Sequence, residues 1–405
     1  MNTVGIVVEY NPFHNGHYYH IAESKKKAEA EFVVGIISGN YVQRGEPAII
    51  NKWARTKIAL MHGVDMVIEL PTIYSTQSAE GFARGAISTL AYSGIVDKVV
   101  FGSEAGEVFP LEKVADRLLN IENSPKSITS KLKEGKSYSQ SLQQMVGDTA
   151  YLTGSNNILG IEYIKQNIKL GSPIQMQTIK RTSSNYNEEN PSDDYFASAT
   201  SLRPMIKNSS PKLKQYMPPK ALSILKYALN EQQFIDLNSF TGHLFPLLLR
   251  DGQSILPSVQ GYEQGLENRL LSILQDECPI NLEGLVSKAR SKRYSKSRIK
   301  RLLLHFMLGI NSEAVKEANK RPTYIRILGC TEKGLTLLGH LKKRSELPFS
   351  LNYNNLLESL PTESIGYNNL VKENIFSNIY INKSFYQKKY NLDYRKKPII
   401  IKGQS

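Results

Sequence analysis

Residues 3–20 read TVGIVVEYNPFHNGHYYH, and the whole fold can be built outward from them. Thr3–Glu9 is a β-branched apolar run of strand length, the pattern of a strand covered on both faces of a parallel sheet. A tight turn follows, and His14-Asn15-Gly16-His17 opens a helix expected to reach about Ala30. A helix that starts directly off a strand offers unpaired backbone N–H groups and a positive dipole end, which suits phosphate. Gly16 lets a ligand approach the backbone closely. Two imidazoles three residues apart on the first turn can donate to phosphate oxygens as charge builds there. His14 and His17 are therefore the candidate catalytic pair. His20 extends the spacing to HxxHxxH, but no further Cys, His or carboxylate partner is evident, so no zinc site is expected.

Outward from this start, strand and helix patterns alternate. Phe32–Ser38 is a second strand, followed by a helix near Asn51–His62. Asp65–Leu70 is a third strand, Ser78–Ser93 a helix and Asp97–Phe101 a fourth strand. Residues 110–170 read as mainly helical, Pro173–Lys180 as a strand, and Arg181–Asp194 as a polar loop. The expected fold is α/β: a Rossmann-like, ATP-binding domain with a parallel sheet over residues 1–210, then a mainly helical basic region over 211–405. The boundary falls in the Pro-containing stretch 208–219. Helical spacing recurs at Lys220–Leu229, Ile280–Ser291 and Ser297–Leu308. The last forty residues read as a small strand-containing cap. In such sheets ligands gather at the carboxyl ends of the strands, so HNGH, the loop Ser38–Ala48 and Phe101–Glu104 should share one edge.

A second motif lies at Ser198-Ala199-Thr200-Ser201-Leu202-Arg203, opening a helix. Ser198, Thr200 and Arg203 could hold the β- and γ-phosphates of ATP, with Arg203 stabilising the departing pyrophosphate; capping of the helix is the alternative use of the hydroxyls. Arg44 and Lys52 are candidates for an anionic second substrate, although Arg44 could instead pair with Glu46. Asn156 and Asn157 could meet adenine or cap a helix. Mg²⁺ bridging the phosphates is expected, with few protein ligands.

Charge divides the chain. Residues 1–210 carry 21 Lys+Arg and 21 Asp+Glu, whereas 211–405 carry 30 and 16, so the whole formal charge of +14 sits in the second half. Its densest part is KARSKRYSKSRIKR, with Lys288, Arg290, Lys292, Arg293, Lys296, Arg298, Lys300 and Arg301. Two short helices joined near Tyr294–Ser297 would aim this ridge at a nucleic-acid backbone, and RNA is the expected partner. Composition is ordinary for a globular chain, at 40% hydrophobic and 22% charged. No run of eighteen apolar residues offers a membrane span, and no leader pattern is read at the start. Cys278 and Cys330 make neither a disulfide framework nor a metal motif. A cytoplasmic enzyme with no obligate protein partner is expected.

With these motifs in place, the chain resembles the HIGH-type nucleotidyltransferase superfamily. GIVVEYNPFHNGHYYH, SGNYVQRGEPA, KWAR, VIELP and FGSE more closely resemble the bacterial tRNA(Met) cytidine acetate ligase family. That resemblance implies activation of acetate by ATP, without acetyl-CoA, and transfer of the acetyl group to N4 of the wobble cytidine of elongator tRNA(Met). It also implies ATP contacts from Val7, Val8, Glu9, Tyr10, Asn11, Pro12, Phe13, His14, Asn15, Gly16, His17, Tyr18, Tyr19 and His20, and from Gly102, Asn157 and Arg181. Asn51 departs from the Asp expected before Lys-Trp, which puts an acid–base or tRNA role for that position in doubt. Read from the residues alone, a cofactor-forming adenylyltransferase acting on a phosphorylated small molecule, or a non-catalytic RNA-binding protein with an ATP-sensing fold, would also suit the pattern.

Overall fold

The computed structural model describes residues 2–123, 149–152, 154–181, 195–277, 279–384 and 389–403. The polar loop expected beyond Arg181, the middle of the helical stretch 110–170 and Cys278 lie outside the described residues.

Strands β1 (Thr3–Val8), β2 (Phe32–Ser38), β5 (Met66–Leu70), β6 (Lys98–Ser103) and β7 (Gln175–Lys180) run parallel in the order β5-β2-β1-β6-β7. Alternation inside the apolar runs covers both faces: Val33 and Ile37 of β2 enter one core, while Val34 and Ile36 enter the other. Helix α1 (Asn15–Lys27) leaves β1 with His14 as its N-cap. A two-stranded hairpin, β3 (Tyr41–Val42) with β4 (Glu46–Pro47), follows β2, and α2 (Lys52–Met61) starts soon after. Asn51 is the N-cap of α2, its Oδ1 accepting the Ala54 N–H at 2.9 Å while its amide donates to Gln232 at 2.7 Å. The side chain that departs from the expected Asp thus holds a structural post.

The sheet does not stop at residue 210. Strand β8 (Ile325–Thr331) pairs antiparallel with β5, and β9 (Phe349–Ser350) and β10 (Ile399–Ile401) pair parallel with β8. The second half is mainly helical, yet it completes the sheet begun by the first. The final forty residues form the helix Ile365–Ser384 and a short turn of helix before β10, so the expected cap is a helix and one strand of the main sheet. Charge is a surface property and carried no information about where these strands pair. No helix among the described residues is long and apolar enough to cross a membrane.

Strand order reverses at β1, which has β2 on one side and β6 on the other. A crevice opens outside the carboxyl ends of strands at such a point.

Candidate active site

A cleft of ≈ 220 Å³ occupies this position, lined by residues at and just beyond the carboxyl ends of β1, β3, β6 and β7 and by the segment 196–203. His14 Nδ1 accepts the Gly16 N–H at 3.1 Å. Its proton therefore resides on Nε2, which can only donate. The His17 ring stacks on it with centroids 3.8 Å apart. Burial and the nearby Arg181 charge hold His14 down at about 3. His17 lies well below its ordinary value through burial, then through His14, Arg181 and His20. His20 is lowered to about 4, by burial first and Arg181 second. The pair is thus neutral at physiological pH, two imidazoles supplying N–H groups without carrying charge. His17 Nδ1 is buried with no partner.

Arg55, fully buried, holds the frame: it donates to the carbonyls of Ile50, Glu9 and Ser38 at 3.2, 2.7 and 3.0 Å, and to that of Gly39. One guanidinium ties together the carboxyl ends of β1 and β2. Sequence reading noticed KWAR without giving this residue a task; an Arg four residues into an apolar helix was the available signal. Asn11 Oδ1 accepts the Ile49 N–H at 2.8 Å, and the Asn11 carbonyl accepts from Arg203 at 3.1 Å. Arg203 thereby clamps the turn after β1 while lining the cleft.

The expected residues divide in two. Val7, Val8, Glu9, Tyr10, Asn11, His14, Gly16, His17, Tyr19, His20, Arg44, Gly102, Arg181 and Arg203 line the cleft. Pro12, Phe13, Asn15 and Tyr18 do not. Phe13 packs beneath against Tyr10 and His62, and Asn15 donates to the carbonyls of Tyr195 and Gln215 at 3.0 and 2.8 Å. Nor do Asn157, Ser198 and Thr200. Asn157 Oδ1 accepts the N–H groups of Glu104 and Ala105 at 3.0 and 3.1 Å, and Glu104 in return accepts the Asn157 N–H at 2.7 Å. Ser198 caps its helix through the Ser201 N–H at 3.1 Å, and the Thr200 hydroxyl accepts from Arg203 at 3.3 Å. The apolar walls, Phe82, Phe101, Tyr163 and Phe196, were not anticipated, because an aromatic in a core pattern looks the same whether or not one edge meets a ligand.

Lys52 is corrected outright as an anion site. It is 1% exposed and bonded to Glu69 at 2.7 Å and to Asp393 at 2.9 Å. Arg44 lines the cleft, and Glu46 binds Lys300 at 2.6 Å. Among the basic residues, Lys300 is buried between Glu46 and Glu283 and leaves the proposed ridge. Lys288 meets Glu277, while Arg293 and Arg298 share Glu263. Arg290, Lys292, Arg293 and Lys296 are exposed, in and beside the turn between helices Leu282–Ala289 and Lys296–Leu308. Burial, with Arg298 adding to it, lowers Arg301 to about 10. Among the described residues no group of three or more His, Cys, Asp or Glu is arranged to hold a metal ion.

A family model described as HIGH Nucleotidyl Transferase matches residues 1–393. The tRNA(Met) cytidine acetate ligase of Thermosipho africanus (strain TCF52B) is 37% identical, covering 100% of both chains. That of Caldanaerobacter subterraneus subsp. tengcongensis is 41% identical, over 86% of this chain and 88% of the relative. The crystal structure of apo Thermotoga maritima TmcAL matches with a TM-score of 0.93 at 33% identity, and the form bound with alpha-thio ATP with 0.89 at 31%, each over 100% of both chains. Likeness of this extent, from the first strand to the C-terminal strand that closes the sheet, means that the chain belongs to the tRNA(Met) cytidine acetate ligase family of HIGH nucleotidyl transferases.

Proposed function

We propose that the protein is an ATP-dependent ligase that activates acetate as acetyl-adenylate and transfers the acetyl group to N4 of the wobble cytidine of elongator tRNA(Met). The observation that carries this reading is the stacked, neutral His14–His17 pair at a helix N-terminus, in one cleft with Arg181 and Arg203. Relatives aligned over the whole chain bear the name of that activity, and one TmcAL structure holds an ATP analogue.

An acetate oxygen attacks the α-phosphorus as the bond to the leaving pyrophosphate breaks. Charge builds on the non-bridging oxygens, and the His14 Nε2–H and the His17 imidazole donate to them. Arg181 and Arg203 offset the charge of the polyphosphate. Mg²⁺ would rest chiefly on phosphate oxygens, because among the described residues the cleft presents amide, imidazole and guanidinium donors and two carboxylates, Glu9 and Glu46. Positioning and charge stabilisation suffice, with no covalent enzyme intermediate and no acetyl-CoA. The chemistry belongs to residues 1–210, and tRNA is held by the exposed basic residues of 211–405. Both substrates place the enzyme in the cytoplasm, acting without an obligate protein partner.

The test is incubation with ATP, Mg²⁺ and labelled acetate, with and without total tRNA. Label in RNA that digests to N4-acetylcytidine is the expected result. Label in neither adenylate nor RNA, with ATP still bound, would turn the reading to adenylyl transfer onto a phosphorylated small molecule.

A further inference from the structure

The second half-reaction makes a demand that the histidines do not meet. When the exocyclic amine of cytosine attacks the acetyl carbon, the nitrogen must lose a proton. His14 offers a donor only, since its Nδ1 is occupied by the Gly16 N–H. His17 resists protonation through burial and through its neighbours His14, Arg181 and His20. Among the described residues, two carboxylates line the cleft. Glu46 is bound to Lys300 at 2.6 Å, which leaves Glu9.

Glu9 follows β1 directly and is held by backbone. Its Oε1 accepts the Gln43 N–H at 2.7 Å and faces the Ser38 hydroxyl at 3.4 Å. Its carbonyl accepts from Arg55 at 2.7 Å. Oε2 has no partner among the described residues and is not among the atoms shut away from solvent. One oxygen fixes the side chain and the other stays open in the cleft. A carboxylate oxygen is the acceptor that complements the cytosine amine. Burial raises the Glu9 carboxyl above its ordinary range, against the Gln43 N–H and the charges of Arg55 and Arg44. Glu9 therefore takes up a proton more readily than a surface carboxylate, opposite to the imidazoles beside it.

We infer that Glu9 is the catalytic base of the acyl-transfer step, its open Oε2 receiving the proton that the cytosine amine loses. The inference rests on the ligase reading above. The N4–C bond forms as the bond between the acetyl carbon and the AMP oxygen breaks. AMP leaves with that electron pair, and the amine's proton passes to Glu9 and then to solvent.

The experiment uses the full chain with ATP, acetate and tRNA. It compares acetate-dependent ATP–pyrophosphate exchange with single-turnover transfer to tRNA in wild type, Glu9→Gln and Glu9→Asp. The Gln side chain keeps an oxygen for the Gln43 N–H but cannot act as the base. General-base catalysis is worth about 10²–10⁴-fold, so the ratio of transfer to exchange should fall by at least about 10²-fold in Glu9→Gln. The rise of transfer rate with pH should be lost in Glu9→Gln and persist, at a lower rate, in Glu9→Asp. Exchange and transfer falling together, or a pH limb retained in Glu9→Gln, would overturn the base assignment alone. A wild-type protein that carries no acetyl group to RNA would overturn the ligase reading and the base with it.

Discussion

Burial holds His14 at about 3, His20 and His305 at about 4, and His17 well below its usual value. Unfolded, each titrates near 6.5. Between that value and about 4 the unfolded chain binds more protons than the folded one, so stability falls as pH falls across this window. Glu373, raised to about 8 chiefly by burial and then by Glu69, works in the opposite sense. Folding favours its protonated form, and that contribution is lost as pH rises from about 4.5 toward 8. Glu9 and Glu162, also raised by burial, act in the same sense as Glu373, but the histidines outnumber these carboxyls, so the urea midpoint should peak near neutral pH and drop on the acid side. His305→Gln should make the acid slope shallower by about one proton, which midpoints measured across pH would show. An unchanged slope would mean that His305 is not held neutral. The stacked His14–His17 pair was legible as a site because a helix that starts directly off an apolar strand presents its first turn to the crevice at the strand ends. Lys52 and Lys300 were not: their partners Asp393 and Glu46 lie far along the chain, and no local pattern announces them.

At the scale of elements, the β3–β4 hairpin joins the basic helix to the cleft. Its Gln43 N–H fixes Glu9, Arg44 lines the cleft, and Glu46 binds Lys300. Between them Gly45 has φ +78°, and a Cβ there would stand 2.4 Å from the Arg301 backbone nitrogen. Gly45→Ala must both adopt a left-handed conformation and push the helix away, a loss of about 1–3 kcal/mol. Urea denaturation should show it, together with slower acetyl transfer as Glu9 loosens. Stability and transfer both equal to wild type would mean that the hairpin does not couple the two. On the neighbouring surface, reversing the charges of Arg293, Lys296 and Arg298 should weaken tRNA binding and flatten its dependence on salt, with each lost phosphate contact lowering the slope by about 0.7–0.9. Unchanged affinity in a filter-binding series would remove this segment from the tRNA surface. Five parallel strands were legible because their β-branched runs are bounded by turn residues. Strand β8 was passed over: seven residues of Ile-Arg-Ile-Leu-Gly-Cys-Thr fit a buried strand or a helix segment equally by periodicity.

Over the whole molecule, the two halves are joined by charges away from water. Lys52 and Arg326 face Glu69 and Asp393, with contacts of 2.7–2.9 Å and every side chain at most 3% exposed. Two positive and two negative groups balance, and removing one leaves a buried charge uncompensated, at a cost of about 3–5 kcal/mol. Asp393→Asn should lower urea stability by that amount, and the segment carrying β10 should then lose amide-exchange protection. Equal stability would show that the cluster contributes specificity without net energy. The expectation of a boundary near residue 210 came from the Pro-containing stretch 208–219 and the change of charge, and neither could reveal that strands from both halves share one sheet. This sharing has a consequence for biosynthesis. Lys52 and Glu69 leave the ribosome long before Asp393, and at about 5–20 residues per second the delay is on the order of tens of seconds. During that interval the nascent chain carries an ATP-binding half with an open sheet edge and unmatched interior charges. A message cut short near its end would yield a chain that contains every cleft residue yet lacks the last strand, so translation must finish before the fold can close.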